Sequence, residues 1–251
     1  MKATRKLIPA IALLLVSAVL LSTASYAWFT TNKTVNADMT VGVTAPMNLQ
    51  INNETPASWS NKITFGTYAG LTPCSSVDGV NFVTALGLAL ASDGIFETDA
   101  AVEAVAANLS VVDPADYEDY YVLEEFQLRA SQTVEANKLS LEVTIDEAEK
   151  EDYSPAIRVM VFMKQSDDSW LPIYASTGSH KAVVDKGSGA FGLSAETYAA
   201  KNTVSTITLA AAEIYDFKAV VWIEGNDEAC VSANVSATPN VAIDIEFKVA
   251  D

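Results

Sequence analysis

Few residues of this chain are equipped for chemistry. Its one histidine, His180, stands in "STGSHKAVVDKG". Any serine–histidine–aspartate triad or histidine-based metal site would have to run through it. The stretch is polar and turn-like and lacks H-E-x-x-H spacing, so it reads as a loop histidine. The two cysteines, Cys74 and Cys230, have no second cysteine or histidine at ligand spacing, which argues against zinc. Both stand in loop-like surroundings, "LTPCSSVDG" and "GNDEACVSAN". In an oxidising compartment they could pair. The bridge would close a loop of about 157 residues and stabilise by roughly 5 kcal/mol on the chain-entropy argument. In a reducing or anaerobic setting they would stay two thiols.

Carboxylates are abundant. Asp116, Glu118 and Asp119 cluster, as do Asp146, Glu147, Glu149, Glu151 and Asp152. Calcium is what such runs could hold, but neither has the order of an EF-hand loop or its glycine. A charged loop is the simpler reading. "KGSGAFG", from Lys186 to Gly192, has neither Walker nor dinucleotide spacing. "EGNDEAC", from Glu224 to Cys230, leaves a strand, turns at Gly225 and Asn226, and reads as a structural turn. The expectation is a protein that is not an enzyme, with no catalytic residue, metal or cofactor.

The elements that would carry these residues are strands. Val35, Ala37, Met39, Val41 and Val43 alternate with Asn36, Asp38, Thr40 and Gly42, and period two marks a half-buried strand. Met47, Leu49 and Ile51 repeat the pattern, and Ile63 to Tyr68 is β-prone. Alternation resumes at Tyr120 and again at Leu139 to Ile145. "AIRVMVFMK" is apolar on both faces around its middle, so it should be buried on both sides. Trp170 to Tyr174 is its hairpin partner across "SDDS". Ala190 to Ala200 suggests a helical turn, and Thr203 to Leu209 a strand. Phe217 to Ile223 and Val241 to Val249 close the pattern.

Leu71 to Pro114 differs, being rich in Gly, Ser, Asp and Ala. Asp99 could cap a short helix carrying Val102, Val105, Ala106 and Leu109 on one face. Strands with one wet face belong to antiparallel sheets, and two such sheets pack as a sandwich. The expected fold is therefore all-β: an antiparallel, jelly-roll-like β-sandwich over residues 46–251, with a helical insertion at about 71–114.

The N-terminus reads as a secretory signal peptide. Lys2, Arg5 and Lys6 precede an apolar run from Leu7 to Leu21, and Ser25-Tyr26-Ala27 supplies small residues at the cleavage positions. The expected cut lies between Ala27 and Trp28. With residues 22–29 added, the run would just span a bilayer as an uncleaved anchor. Cleavage leaves 224 residues and takes the formal charge from −17 to −20. So acidic a surface repels nucleic acid and anionic lipid. Contact with a membrane is expected only through the signal peptide before cleavage. The expected location is outside the cell, in extracellular matrix or at the cell surface.

The junction "STASYAWFTTNKTV" resembles the start of the TasA/camelysin family of secreted bacterial matrix subunits. There a small–aromatic–Ala signal end, cut by a dedicated signal peptidase, leads through aromatics and a polar linker into a strand. "EEFQLRAS", "LSLEVTID", "AIRVMVFM" and "VVWIEGNDEAC" are compatible with strands of such proteins. The resemblance implies a jelly-roll subunit of a biofilm-matrix fibre, joined to further copies of itself, or to other matrix or surface proteins, by donor-strand exchange. Residues 28–45 would be the donor segment, and Val35, Ala37, Met39, Val41 and Val43 the face buried in a neighbour. The same residues would equally serve as the first strand of their own sandwich. Camelysin's protease activity is not carried over, because one histidine and no zinc motif stand here, and a camelysin-like protease is the weaker alternative. The reading from another class is a monomeric surface binding module or adhesin that uses the 71–114 insertion, since sandwich loops commonly bind.

Overall fold

The computed structural model describes residues 35–44, 49–53, 58–85, 95–147, 156–176, 178, 181–197, 200–230 and 240–250. Two sheets face each other. One has four strands in the order β3 (Lys62–Leu71), β1 (Val35–Thr44), β14 (Asn240–Val249), β7 (Leu139–Glu147). The other has six: β12 (Lys201–Asn202), β9 (Trp170–Ala175), β8 (Ile157–Lys164), β13 (Ile214–Ile223), β6 (Tyr121–Ala130) and β2 (Leu49–Asn52). Two ribbons complete it, β4 (Val83–Ala85) with β5 (Leu109–Val111), and β10 (Lys181–Gly187) with β11 (Ala190–Thr197). The fold is an all-β sandwich.

Alternation explains the core. Met39, Val41 and Val43 of β1 and Ile243, Ile245 and Phe247 of β14 point inward from the first sheet. Phe126 of β6 and Phe217 of β13 meet them from the second. Phe247 packs edge-on to both, with ring centroids 6.1 and 5.4 Å away. Among the described strand pairs, β1 with β14 is the one parallel ladder; on its other side β1 runs antiparallel to β3.

The expected double burial of β8 holds, and its cause is a third layer. Ile157, Val159 and Val161 face the sandwich core. Met160 and Phe162 face outward with Val220 and Trp222 of β13, under Cys74, Phe82 and Val112 of the insertion and Ala182 of β10.

Three local expectations are corrected. The insertion's helix α1 is short, Asp99–Glu103, and Thr98 rather than Asp99 caps it, accepting from Ala101 N at 3.2 Å. Leu109 is not on its face: the helix ends at Glu103, a 3₁₀ turn follows at Ala106–Asn108, and Leu109–Val111 pairs with Val83–Ala85 as β5. In place of the expected helical turn at Ala190 to Ala200, Ala190–Thr197 is the strand β11. Gly187, Ser188 and Gly189 all have positive φ (87°, 56° and 78°), which folds the chain back into the β10–β11 hairpin. Of the expected strand from Thr203 to Leu209, Val204–Thr206 is a 3₁₀ turn, and Leu209 makes an isolated bridge to Val134.

Candidate functional site

The outward row of the six-stranded sheet ends in charge. Arg158 follows the Met160 side of β8, and Glu224 follows Trp222 just past β13. Both are almost inaccessible to water. A buried charge is tolerated only when its hydrogen-bonding capacity is met. Arg158 is ion-paired with the equally buried Asp227. Gly178 lies against that guanidinium so closely that a Cβ there would sit 2.6 Å from Nε.

Glu224 is met by four donors. Its Oε1 accepts from Ser75 Oγ and from Asn226 N at 3.0 Å, its Oε2 from Ser76 N at 3.3 Å and Trp222 Nε1 at 3.2 Å. Ser75 Oγ in turn accepts from Val183 N of β10 at 2.7 Å. Asn226 extends the network: its Oδ1 accepts from Phe96 N at 2.6 Å, and its Nδ2 donates to Lys181 O at 2.6 Å. Gly225 N donates to Cys74 O at 2.8 Å. The "EGND" turn therefore ties down the start of the insertion and β10 together.

Between those two anchored pieces lies a cleft of about 640 Å³. One wall is the 77–83 turn with β4 and β5; the other is the β10–β11 hairpin. The turn is shaped by Asp78, whose Oδ1 accepts from Val80 N (2.9 Å) and Asn81 N (2.8 Å) and whose Oδ2 accepts from Asn81 Nδ2 (2.7 Å). Partial burial pushes the Asp78 carboxyl up, but these hydrogen bonds, with one from Ser76, outweigh it and hold the group below the usual aspartate value. Gly79 has φ +66°, and a Cβ there would meet Met160 Sδ at 2.7 Å, so the turn requires glycine. Val77, Phe82, Val83, Val111 and Val184 make the apolar lining. Val77 is 36 % and Val111 50 % exposed, and Val80 on the same turn is 56 % exposed. The cleft is sized and lined as a ligand site.

The other sequence candidates fall as follows. Cys74 and Cys230 are two buried thiols, not the disulfide considered from sequence. Cys74 packs with the outer cluster and its Sγ donates to Tyr120 O at 3.6 Å, whereas Cys230 packs with the sandwich core. Burial, then the charge of Glu224 and the neighbouring Cys230, push the Cys74 thiol well above its ordinary value. Met39, Val41 and Val43 of the expected 28–45 segment are buried in this chain's own sandwich, where their strand β1 sits between β3 and β14. The register continues through Ala37, opposite Val241 and Tyr68, and Val35, opposite Leu71. His180, Ala27, Trp28 and most of the 146–152 acidic run lie outside the described residues. Asp116 precedes a 3₁₀ turn, Tyr117–Asp119, that contains Glu118 and Asp119. Among the described residues no group of three or more His, Cys, Asp or Glu is placed to hold a metal ion, and no helix is long and apolar enough to cross a membrane.

No family model matches this chain. No curated protein matches it either. Among solved structures, GH31 CBM32-2 bound to GalNAc aligns with 68 % of this chain and 97 % of its own, at 7 % identity and a TM-score of 0.21. CpGH89CBM32-5 from Clostridium perfringens, in complex with GalNAc-β-1,3-galactose, aligns with 69 % of this chain and 99 % of its own, at 8 % identity and a TM-score of 0.18. Likenesses this slight carry no ligand and no activity to this chain.

The cleft is the feature that sequence reading missed. The contact surface was sought in the insertion alone, yet half the lining comes from a hairpin about a hundred residues on. The available signal was "KGSGAFG", whose glycines mark that hairpin's turn.

Proposed function

We propose that this chain is an exported structural subunit of extracellular material, of the TasA/camelysin kind, that assembles by exchanging β1 between copies. The observation that supports this is the slot that β1 fills. β1 lies between β3 and β14, and among the described strands its one neighbour in sequence is β2, at the edge of the opposite sheet. A β1 from another copy would make the same ladders and bury the same Met39, Val41 and Val43. Such exchange conserves every contact, and when it runs head to tail it builds an open fibre.

The test is a lock. Thr40 and Asp244 are opposed in the β1–β14 register, and the Thr40 hydroxyl donates to the Asp244 carboxylate. Neighbouring strands place Cα atoms within disulfide range. A Thr40→Cys, Asp244→Cys double variant, oxidised as a dilute monomer, should form no filaments by negative stain. Reduction should restore them to the unmodified protein's level. Filaments from the oxidised monomer, or none from the unmodified protein at any concentration, would refute exchange.

A second reading is favoured by the cleft: a surface module that binds through the insertion and the β10–β11 hairpin. Here the supporting observation is the exposure of Val77 and Val111 along one wall of a preformed, anchored groove. A monomer that binds and does not polymerise is its expected behaviour.

A further inference from the structure

We infer that the cleft between the 77–83 turn and the β10–β11 hairpin takes an extended, cationic peptide segment of a partner protein, with apolar side chains alternating with basic ones. The inference rests on the binding reading of the cleft and stands apart from β1 exchange.

Three observations narrow the class. First, Val77 and Val111, two of the five large hydrophobic residues left exposed among the described residues, line one groove. Apolar side chains held in water at a rigid concavity mark an interaction site. Second, the groove's charge is one-sided. Asp78, Asp185 and Glu196 line it against a single cation, Lys186. The Lys186 ammonium already donates to Leu193 O at 2.6 Å. Asp78 is held ionised by its turn, and Asp185 and Glu196 are exposed. A phosphate, a nucleic acid or an acidic sugar would be repelled there. Third, the groove offers no aromatic face. Its one ring, Phe82, is 2 % exposed and lies stacked on Tyr121 with centroids 4.0 Å apart. A covered ring cannot stack on a sugar or a base. A groove walled on each side by a two-stranded ribbon suits an extended backbone. Alternate side chains would then face the valines and the carboxylate rim.

The probe is an eight-residue peptide alternating valine and lysine, capped at both ends and fluorescently labelled. Anisotropy titrations use the whole mature chain. The peptide should bind saturably and weaken as salt rises. Asp185→Lys with Glu196→Lys should weaken it by at least about tenfold, and Val111→Asp, at an exposed site that leaves folding intact, should do the same. Glu118→Lys with Glu135→Lys makes the same change in net charge at exposed positions outside the cleft, and should shift binding less than about twofold. Equal loss in both double variants would reveal attraction to the acidic surface at large and overturn the inference. So would equal binding of a serine–lysine peptide, since the valines would then contribute nothing. Binding of a valine–glutamate peptide or a neutral oligosaccharide, lost in Val111→Asp, would overturn the cationic assignment while leaving the cleft a binding site. No binding of the valine–lysine peptide at millimolar concentration would overturn it as well.

Discussion

Gly178 and Arg158 illustrate how a single contact can hold a layer. The glycine has no positive φ; its role is steric, since a methyl group would collide with a guanidinium already committed to Asp227. Gly178→Ala should therefore lower stability by about 1–3 kcal/mol, read as the midpoint of urea denaturation. In an Arg158→Met, Asp227→Leu background the same change should cost little, because the clash and the buried charge are both gone. Glu124 makes a different case. It stands in the inward row of β6 between Val122 and Phe126, half-buried, and burial raises its pKa from 4.5 to about 7. The unfolded chain loses this proton first as pH rises. The group's contribution to stability is thus complete below about 4.5 and is lost as pH climbs through about 7. The urea midpoint should rise when pH falls from 8 to 6, and Glu124→Gln should flatten that dependence and stabilise the protein at pH 8. A midpoint with the same slope in both proteins would exclude Glu124 as the source. The thiols give a third residue-level expectation. Native protein should be inert to a thiol reagent, and denatured protein should show two reactive groups. A sample that shows none until a reductant is added would mean the bridge forms after all.

At the level of elements, β1 settles how a donor-strand variant must behave. Met39 is wholly buried within its own sandwich. Met39→Asp should therefore unfold the monomer, by far-UV circular dichroism, rather than merely block assembly. Thr40, opposed to Asp244, should accept lysine and resist aspartate, because like charges directly opposite each other repel. A folded Met39→Asp monomer would show that the strand can leave its slot without loss of the core. The long strands were legible because alternation over eight or ten residues leaves little choice of period: β1, β6, β7, β8, β13 and β14 all announce themselves. Short pieces did not. Val83–Ala85 and Leu109–Val111 are three residues each, too few to show a period, and Leu109 also fits a helical spacing with Val102 and Val105. The cleft was hidden for the same reason. It depends on β4, β5 and β10, and on hydrogen bonds from Glu224 and Asn226 to residues 45 to 149 positions away. No local pattern encodes such pairings. The "EGND" turn was readable as a turn, but not as the clamp that sets two walls.

As a whole molecule the protein is three layers thick where the insertion lies over the six-stranded sheet. The layer accounts for the two buried faces of β8 and for the depth of Glu224. It also separates the two proposed activities in space. β1 belongs to the four-stranded sheet, whereas the cleft lies with the third layer beyond the six-stranded one. One could be altered without disturbing the other, which is why Thr40 and Val111 serve as independent handles.

The parallel ladder of β1 and β14 joins residues 204 positions apart, as at Thr40 and Asp244. Contacts of that separation form late, because the chain entropy lost on closing so large a loop must be offset by structure already in place. The hairpins β8–β9 and β10–β11 need no such help. During folding the six-stranded sheet should consolidate while the place between β3 and β14 is still vacant, and a strand from either the same chain or a neighbour could enter. Chain concentration at the moment of folding, rather than at equilibrium, would then set the outcome. In stopped-flow experiments Met39→Ala should hasten unfolding and leave the refolding rate nearly unchanged, the signature of a contact made after the rate-limiting step. A refolding rate slowed in proportion to the lost stability would place β1 in the nucleus instead.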